Sequence, residues 1–239
     1  MTDLIWTREL GARATIVLAH GAGAPMDSSF MTRIAEGLAA RGLAVARFEF
    51  AYMAKRRTTG KKYPPPKAEK LSSEFVAAVA AALAAPECVG PVAIGGKSMG
   101  GRVAAITAGG ELDGRVAGVA CLGYPFHGPG RPEEIRLAPL QGGRLPTLIV
   151  QGERDEFGSR LEVEALDVGP NARFEWIEDG SHDFGPRGAS PATLKTNIAH
   201  ACDVVAAFVL GLAETVARAE APIAEESGEA GTETDAASA

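Results

Sequence analysis

Short apolar runs closed by glycine alternate with stretches of helical spacing along most of this 239-residue chain, and no other feature restricts its fold as strongly. Residues 14–19 (ATIVLA) form a β-branched run ending on His20-Gly21, the pattern of a buried strand. In 30–41 the spacing of Phe30, Ile34 and Leu38 predicts a helix, and Gly42 stands where a helix terminates. The same reading gives strands at 43–50, 91–94, 116–122, 147–151 and 174–177, and helices at 67–85, 99–108, 160–166 and 191–217. Strands that are apolar on both faces and joined through helices pack as a parallel sheet covered on both sides. The expected fold class is α/β: a doubly wound, mainly parallel sheet of about six or seven strands. About two dozen residues separate the fourth and fifth strands, with Pro125, Pro129, Pro132 and Pro139 among them, so no cap domain is expected.

Composition narrows the function classes. The three cysteines, Cys88, Cys121 and Cys202, form no CxxC or Cys/His spacing, so neither a disulfide framework nor a metal site is expected. The longest apolar run, 75–85, falls short of the roughly 20 residues of a membrane span. No basic-then-apolar segment opens the chain, which makes a cytoplasmic location the expectation, with no membrane partner. Six acids and no base lie in 219–239, a segment nearly devoid of large apolar residues, and we read it as a disordered acidic tail following a folded domain at 1–218. Those 218 residues hold 24 acids against 24 bases, a balance that argues against a nucleic-acid partner.

Ligands of open parallel sheets sit beyond the carboxyl ends of the strands, so the residues that follow each strand carry the chemistry. After the third strand comes Gly96-Lys97-Ser98-Met99-Gly100, a G-x-S-x-G that leads into a helix. Such a turn strains the serine and lifts its hydroxyl above the sheet at the helix N-terminus. A serine needs a base to act as a nucleophile, and His182 follows the last strand. Asp155, in Gly152-Glu153-Arg154-Asp155 after the fifth strand, is the acid expected to orient it, with Glu153 and Glu156 as rivals. The chain order Ser98, Asp155, His182 is that of α/β-hydrolases. The oxyanion of acyl transfer needs two converging N–H donors, expected from Met99 and from Ala22, with Gly23 the alternative to Ala22. His20 reads as a brace of that loop, and His200 as structural.

Tyr52, Tyr124, Arg56 and His127 also follow strands and are expected to contact substrate. Lys55, Arg56, Arg57, Lys61, Lys62 and Lys67 read as a solvated basic loop stiffened by Pro64-Pro65-Pro66, with attraction of a substrate carboxylate by Arg56 or Arg57 as the alternative. Lys97 either draws an anionic substrate or forms a surface salt bridge. A phosphate-binding P-loop is excluded because position 91 is Pro91, and a dinucleotide turn because position 26 is Met26.

The segments 18–31 (LAHGAGAPMDSSFM), 46–57 (ARFEFAYMAKRR), 94–102 (IGGKSMGGR), 121–130 (CLGYPFHGPG), 148–158 (LIVQGERDEFG) and 181–185 (SHDFG) together resemble the dienelactone-hydrolase-like group of α/β-hydrolases. More narrowly, they resemble bacterial relatives of the NSL-complex subunit three and testis-expressed-thirty family. The resemblance spans about residues 14–210 and implies the same Ser98, Asp155, His182 triad. From the triad residues themselves the expectation is a serine hydrolase of a small-molecule acyl substrate, with no cofactor. Dienelactone hydrolases use a cysteine where this chain has Ser98, so their substrate is not implied. Eukaryotic relatives serve a chromatin complex, which makes a catalytically vestigial scaffold the alternative to a serine hydrolase.

Overall fold

The computed structural model describes residues 3–220, with side chains described as far as Leu212 in the last helix. Beyond Glu220 the expected acidic tail lies outside the described residues. The elements run β1 (Leu4–Thr7), β2 (Ala14–Ala19), α1 (Ser29–Ala39), β3 (Leu43–Phe48), α2 (Ala51–Thr59), a 3-10 turn (Ala68–Leu71), α3 (Ser72–Leu83) and β4 (Val92–Lys97). They continue with α4 (Met99–Ala108), β5 (Val116–Leu122), α5 (Ala138–Gln141), β6 (Thr147–Gly152), α6 (Arg160–Val163), β7 (Ala172–Ile177) and α7 (Leu194–Glu220).

Among the described residues, seven strands form one sheet in the order β1-β3-β2-β4-β5-β6-β7. All neighbours are parallel except β1, which runs antiparallel to β3 with Leu4 opposite Phe48. β2, β3 and β6 are buried at every residue, because helices cover both faces. On one face α1 and α7 pack through Met31, Ile34, Leu38, Cys202, Val205 and Val209. On the other, α3 and α4 pack through Phe75, Val79, Val103 and Ala104. The stretch Leu194–Leu212 of α7 is long and apolar enough to cross a membrane, but here its apolar side packs against the sheet and α1. Between β5 and β6 the chain makes turns and the four-residue α5, with no cap.

The chain leaves β2 toward β3 on one side and returns past it to β4 on the other. The carboxyl ends of β2 and β4 therefore flank the topological switch point, where such sheets bind ligands. Three elements are absent from the sequence reading: the single-turn α5, β1 and α2. β1 is a half-buried edge strand of four residues, too short to produce a recognisable apolar run. The basic segment at 55–67 is only partly a loop, because Lys55, Arg56 and Arg57 lie on α2. That helix buries only Tyr52 and Met53, so no apolar period announces it. It ends at Gly60, which has a φ of 68° and donates its N–H to the Arg56 carbonyl at 2.9 Å.

Candidate active site

The turn from β4 into α4 places Ser98 at φ 52° and ψ −117°, a positive φ that side-chain-bearing residues rarely adopt. The two motif glycines make this turn possible. A Cβ on Gly100 would lie 2.5 Å from the Ala19 carbonyl oxygen and 2.6 Å from that of His20, and one on Gly96 would also strike the Ala19 oxygen. The elbow thus rests directly on the end of β2. Met99 opens α4, where N–H groups of the first turn have no acceptor within the helix.

A cavity of about 490 Å³ opens above Ser98. Its wall includes Ala22, Gly23, Lys97, Ser98, Phe157 and His182, together with 28–31 at the start of α1. Ser98 and His182 therefore face one space although 84 residues separate them in the chain. The carboxylate against His182 Nδ1 is that of Asp155, at 2.8 and 3.0 Å. Its two rivals are engaged elsewhere. Glu153 pairs with Arg160 and accepts the Asp179 N–H, while Glu156 lies 3.4 Å from the His182 backbone N–H. With Nδ1 turned to the acid, Nε2 is the ring nitrogen left for the cavity side.

Asp155 is fully buried and accepts two further hydrogen bonds, from the Phe157 N–H at 2.9 Å and from Gln151 Nε2 at 3.1 Å. Gln151 was not singled out in the sequence, although a lone amide in the apolar run LIVQG is a signal. Its side chain also accepts the Tyr124 N–H at 2.7 Å and donates to the Tyr124 and Gly158 carbonyls, so no polar atom of the buried amide is unpaired. The Phe157 ring lies 4.4 Å from the His182 ring.

Lys97 lies under this pair rather than out on the surface. Its Nζ donates to the His182 carbonyl at 2.8 Å, stands 3.2 Å from Asp183 Oδ1 and lies over the Phe30 ring. Burial pushes its pKa below the usual lysine value, with Asp183 opposing that shift. Its nearest charge is an acid of this chain, and its first hydrogen bond ties the histidine loop to the elbow.

The residues expected to contact substrate fall elsewhere. Tyr124 is fully buried and donates its hydroxyl to the Arg136 carbonyl at 2.9 Å. His127 is buried, with Nδ1 against the Gly128 carbonyl. Neither lines the cavity, because Gly123, at φ 64°, turns the chain after β5 back into the interior. Tyr52 and Arg56 stand behind the loop at 21–23 and bond its carbonyls. Arg57 is bound by Asp27 at 2.8 and 2.9 Å and by Glu49 at 2.7 Å, which leaves no free fork for a substrate carboxylate. The same contact holds the Asp27 carboxyl below the usual range. Among the described residues, no three His, Cys, Asp or Glu side chains are grouped so as to hold a metal ion.

His20 braces the loop, as its position suggested. Nε2 accepts the Phe50 N–H at 3.1 Å, which fixes the proton on Nδ1, and Nδ1–H donates to the Gly21 carbonyl at 2.7 Å. Burial is the main cause that lowers its pKa from 6.5. The unfolded chain takes up this proton near pH 6.5 and the folded chain does so only at lower pH. The contribution to stability is therefore complete above that pH and is lost as pH falls toward the folded value. Urea midpoints measured between pH 8 and 5 should decline for the native chain and decline less for His20→Asn. Parallel declines would refute the assignment.

Comparison with known proteins agrees with this architecture. An α/β serine hydrolase homologue from Coxiella burnetii superposes with a TM-score of 0.63 at 20% identity, over 87% of this chain and 91% of its own. Dienelactone hydrolase from Anabaena variabilis gives 0.63 at 22%, over 84% and 89%. A serine hydrolase without lid from Xanthomonas campestris gives 0.58 at 18%, over 87% and 89%. A family model described as "Alpha/beta hydrolase domain" matches residues 12–210, a span that begins just before β2 and takes in the elbow, the Asp155 turn and the His182 loop. The chain belongs to the α/β-hydrolase family.

Proposed function

We propose that this protein is a serine hydrolase that cleaves a small ester, thioester or similar acyl substrate through an acyl-enzyme. The observation that carries this reading is the His182–Asp155 pair on the same cavity as the strained Ser98. Ser98 Oγ attacks the acyl carbon while His182 Nε2 takes its proton. Asp155 holds the imidazole in the tautomer that can accept this proton and stabilises the cation that forms. The oxyanion is held by the N–H of Met99 and by that of Ala22 or Gly23. As the tetrahedral intermediate collapses, His182 passes the proton to the leaving group. Water activated by the same histidine then releases the acid. No step calls for a cofactor.

A volume of about 490 Å³ suits a small acyl group. The names of the structural neighbours, a dienelactone hydrolase and serine hydrolases, favour the same chemistry. The resemblance of segments such as 94–102 and 121–130 to the NSL-complex subunit three and testis-expressed-thirty group supports reading the chain as a relative of that branch. A scaffold would have no use for a fully buried acid engaged on a histidine that shares a cavity with a strained serine.

The test is an activity-based one. A fluorophosphonate probe should label the native chain on the peptide that contains Ser98, as located by mass spectrometry. Folded protein that takes up no label would end the hydrolase reading and leave the scaffold.

A further inference from the structure

We propose that α2 aims the oxyanion loop: Tyr52 and Arg56, with His20, act as positioning residues that turn the N–H groups of 22–24 toward the cavity. This inference rests on the hydrolase reading. Three consecutive carbonyls of the loop are each held by a side chain. The Gly21 carbonyl accepts His20 Nδ1–H at 2.7 Å, the Ala22 carbonyl accepts the Tyr52 hydroxyl at 3.1 Å, and the Gly23 carbonyl accepts Arg56 Nη1 at 3.1 Å. Tyr52 and Arg56 are one turn apart on the same face of α2. Neither belongs to the cavity wall, whereas residues 21–24 do. The carbonyls are therefore drawn to the side away from the cavity.

A trans peptide carries its N–H opposite its C=O. Fixing the carbonyls of Gly21, Ala22 and Gly23 thus fixes the N–H groups of Ala22, Gly23 and Ala24 in the opposite sense. The loop lies against the elbow: a Cβ on Gly21 would stand 3.7 Å from Ser98 Cβ. The loop that carries these N–H groups therefore lines the same cavity as the nucleophile whose attack creates the oxyanion. A donor set in advance stabilises charge as it develops and needs no reorganisation when it does.

Tyr52→Phe and Arg56→Met each remove one brace, and the double variant removes both. Each single change should lower kcat for a p-nitrophenyl ester about tenfold and the double change about a hundredfold, with KM within about twofold. Affinity for a trifluoromethyl ketone, which forms an oxyanion on Ser98, should fall in the same proportion, because the loss is confined to the charged adduct. Arg56→Lys, which keeps a donor, should recover part of the rate. A rise in KM at constant kcat would instead make these residues substrate contacts and overturn the proposal, as would unchanged kinetics in folded variants.

A readout without turnover separates this outcome from failure of the hydrolase reading. ¹⁵N relaxation should show the amides of 22–24 becoming mobile on the nanosecond scale in the double variant. Unchanged order there overturns the proposal even if the native chain hydrolyses nothing. If the native chain takes up no fluorophosphonate but the loop loosens, the bracing stands as structure and its catalytic use falls with the hydrolase reading.

Discussion

Ser98→Ala is expected to abolish ester turnover, with kcat falling by roughly a millionfold, while the protein melts within a degree or two of the native chain. The two effects separate because the hydroxyl does the chemistry and the backbone bears the strain. Alanine at a φ of 52° carries the same Cβ penalty as serine, so its removal of the hydroxyl leaves the turn as strained as before. Ser98→Gly tests this from the other side. It too removes the nucleophile, but it releases strain of about 1–3 kcal/mol, against a glycine entropy cost of about 0.5–1 kcal/mol. The glycine variant should therefore melt a few degrees above both the native chain and the alanine variant. Parallel thermal melts and single-turnover assays decide it. Residual turnover at a tenth of the native rate in Ser98→Ala would move the nucleophile to another residue, and a glycine variant that melts below alanine would remove strain from the account of the elbow.

Much of this was legible in the sequence because the signals were local and strong. The limits of α4 and β5 are written in the sequence itself, since Gly109-Gly110 stops the helix and a continuous apolar run defines the strand. Ser98, Asp155 and His182 each follow a strand, and that position tells which end of the sheet a residue occupies. It does not report the direction of the side chain. Tyr124 and His127 follow β5 as Ser98 follows β4, yet the turn at Gly123 sends them inward. Tyr52 and Arg56 reached the right neighbourhood and face the back of the loop rather than the cavity. Gln151 and Phe157 leave no period in the sequence, because their roles depend on partners distant in the chain or on ring contact. The edge strand β1 acquires its identity from pairing with β3, a property of the assembled sheet and not of the four residues.

Gly100→Ala should cost as much stability as a large core truncation, about 4 kcal/mol or above, and lower the melting temperature by roughly 10 °C. The new methyl would stand 2.5 Å from the Ala19 oxygen, 2.6 Å from the His20 oxygen and 2.8 Å from the Ala19 carbonyl carbon, all of them backbone. A flexible side chain could swing aside, but these atoms end β2, whose pairing with β3 and β4 holds the middle of the sheet. Relief requires α4 to move away from β2, and that motion carries Ser98 away from the loop at 21–23. Activity should then fall by about a hundredfold in whatever fraction remains folded, since a displacement of about 1 Å is enough to misalign the attack. Gly114→Ala is the matched control, because a Cβ there meets nothing within 4 Å and φ is not positive, so its melt should differ from the native one by no more than a degree or two. If Gly100→Ala instead melts beside Gly114→Ala, the elbow does not rest on the end of β2. The second glycine of the motif would then need an explanation other than the clearance of two backbone oxygens.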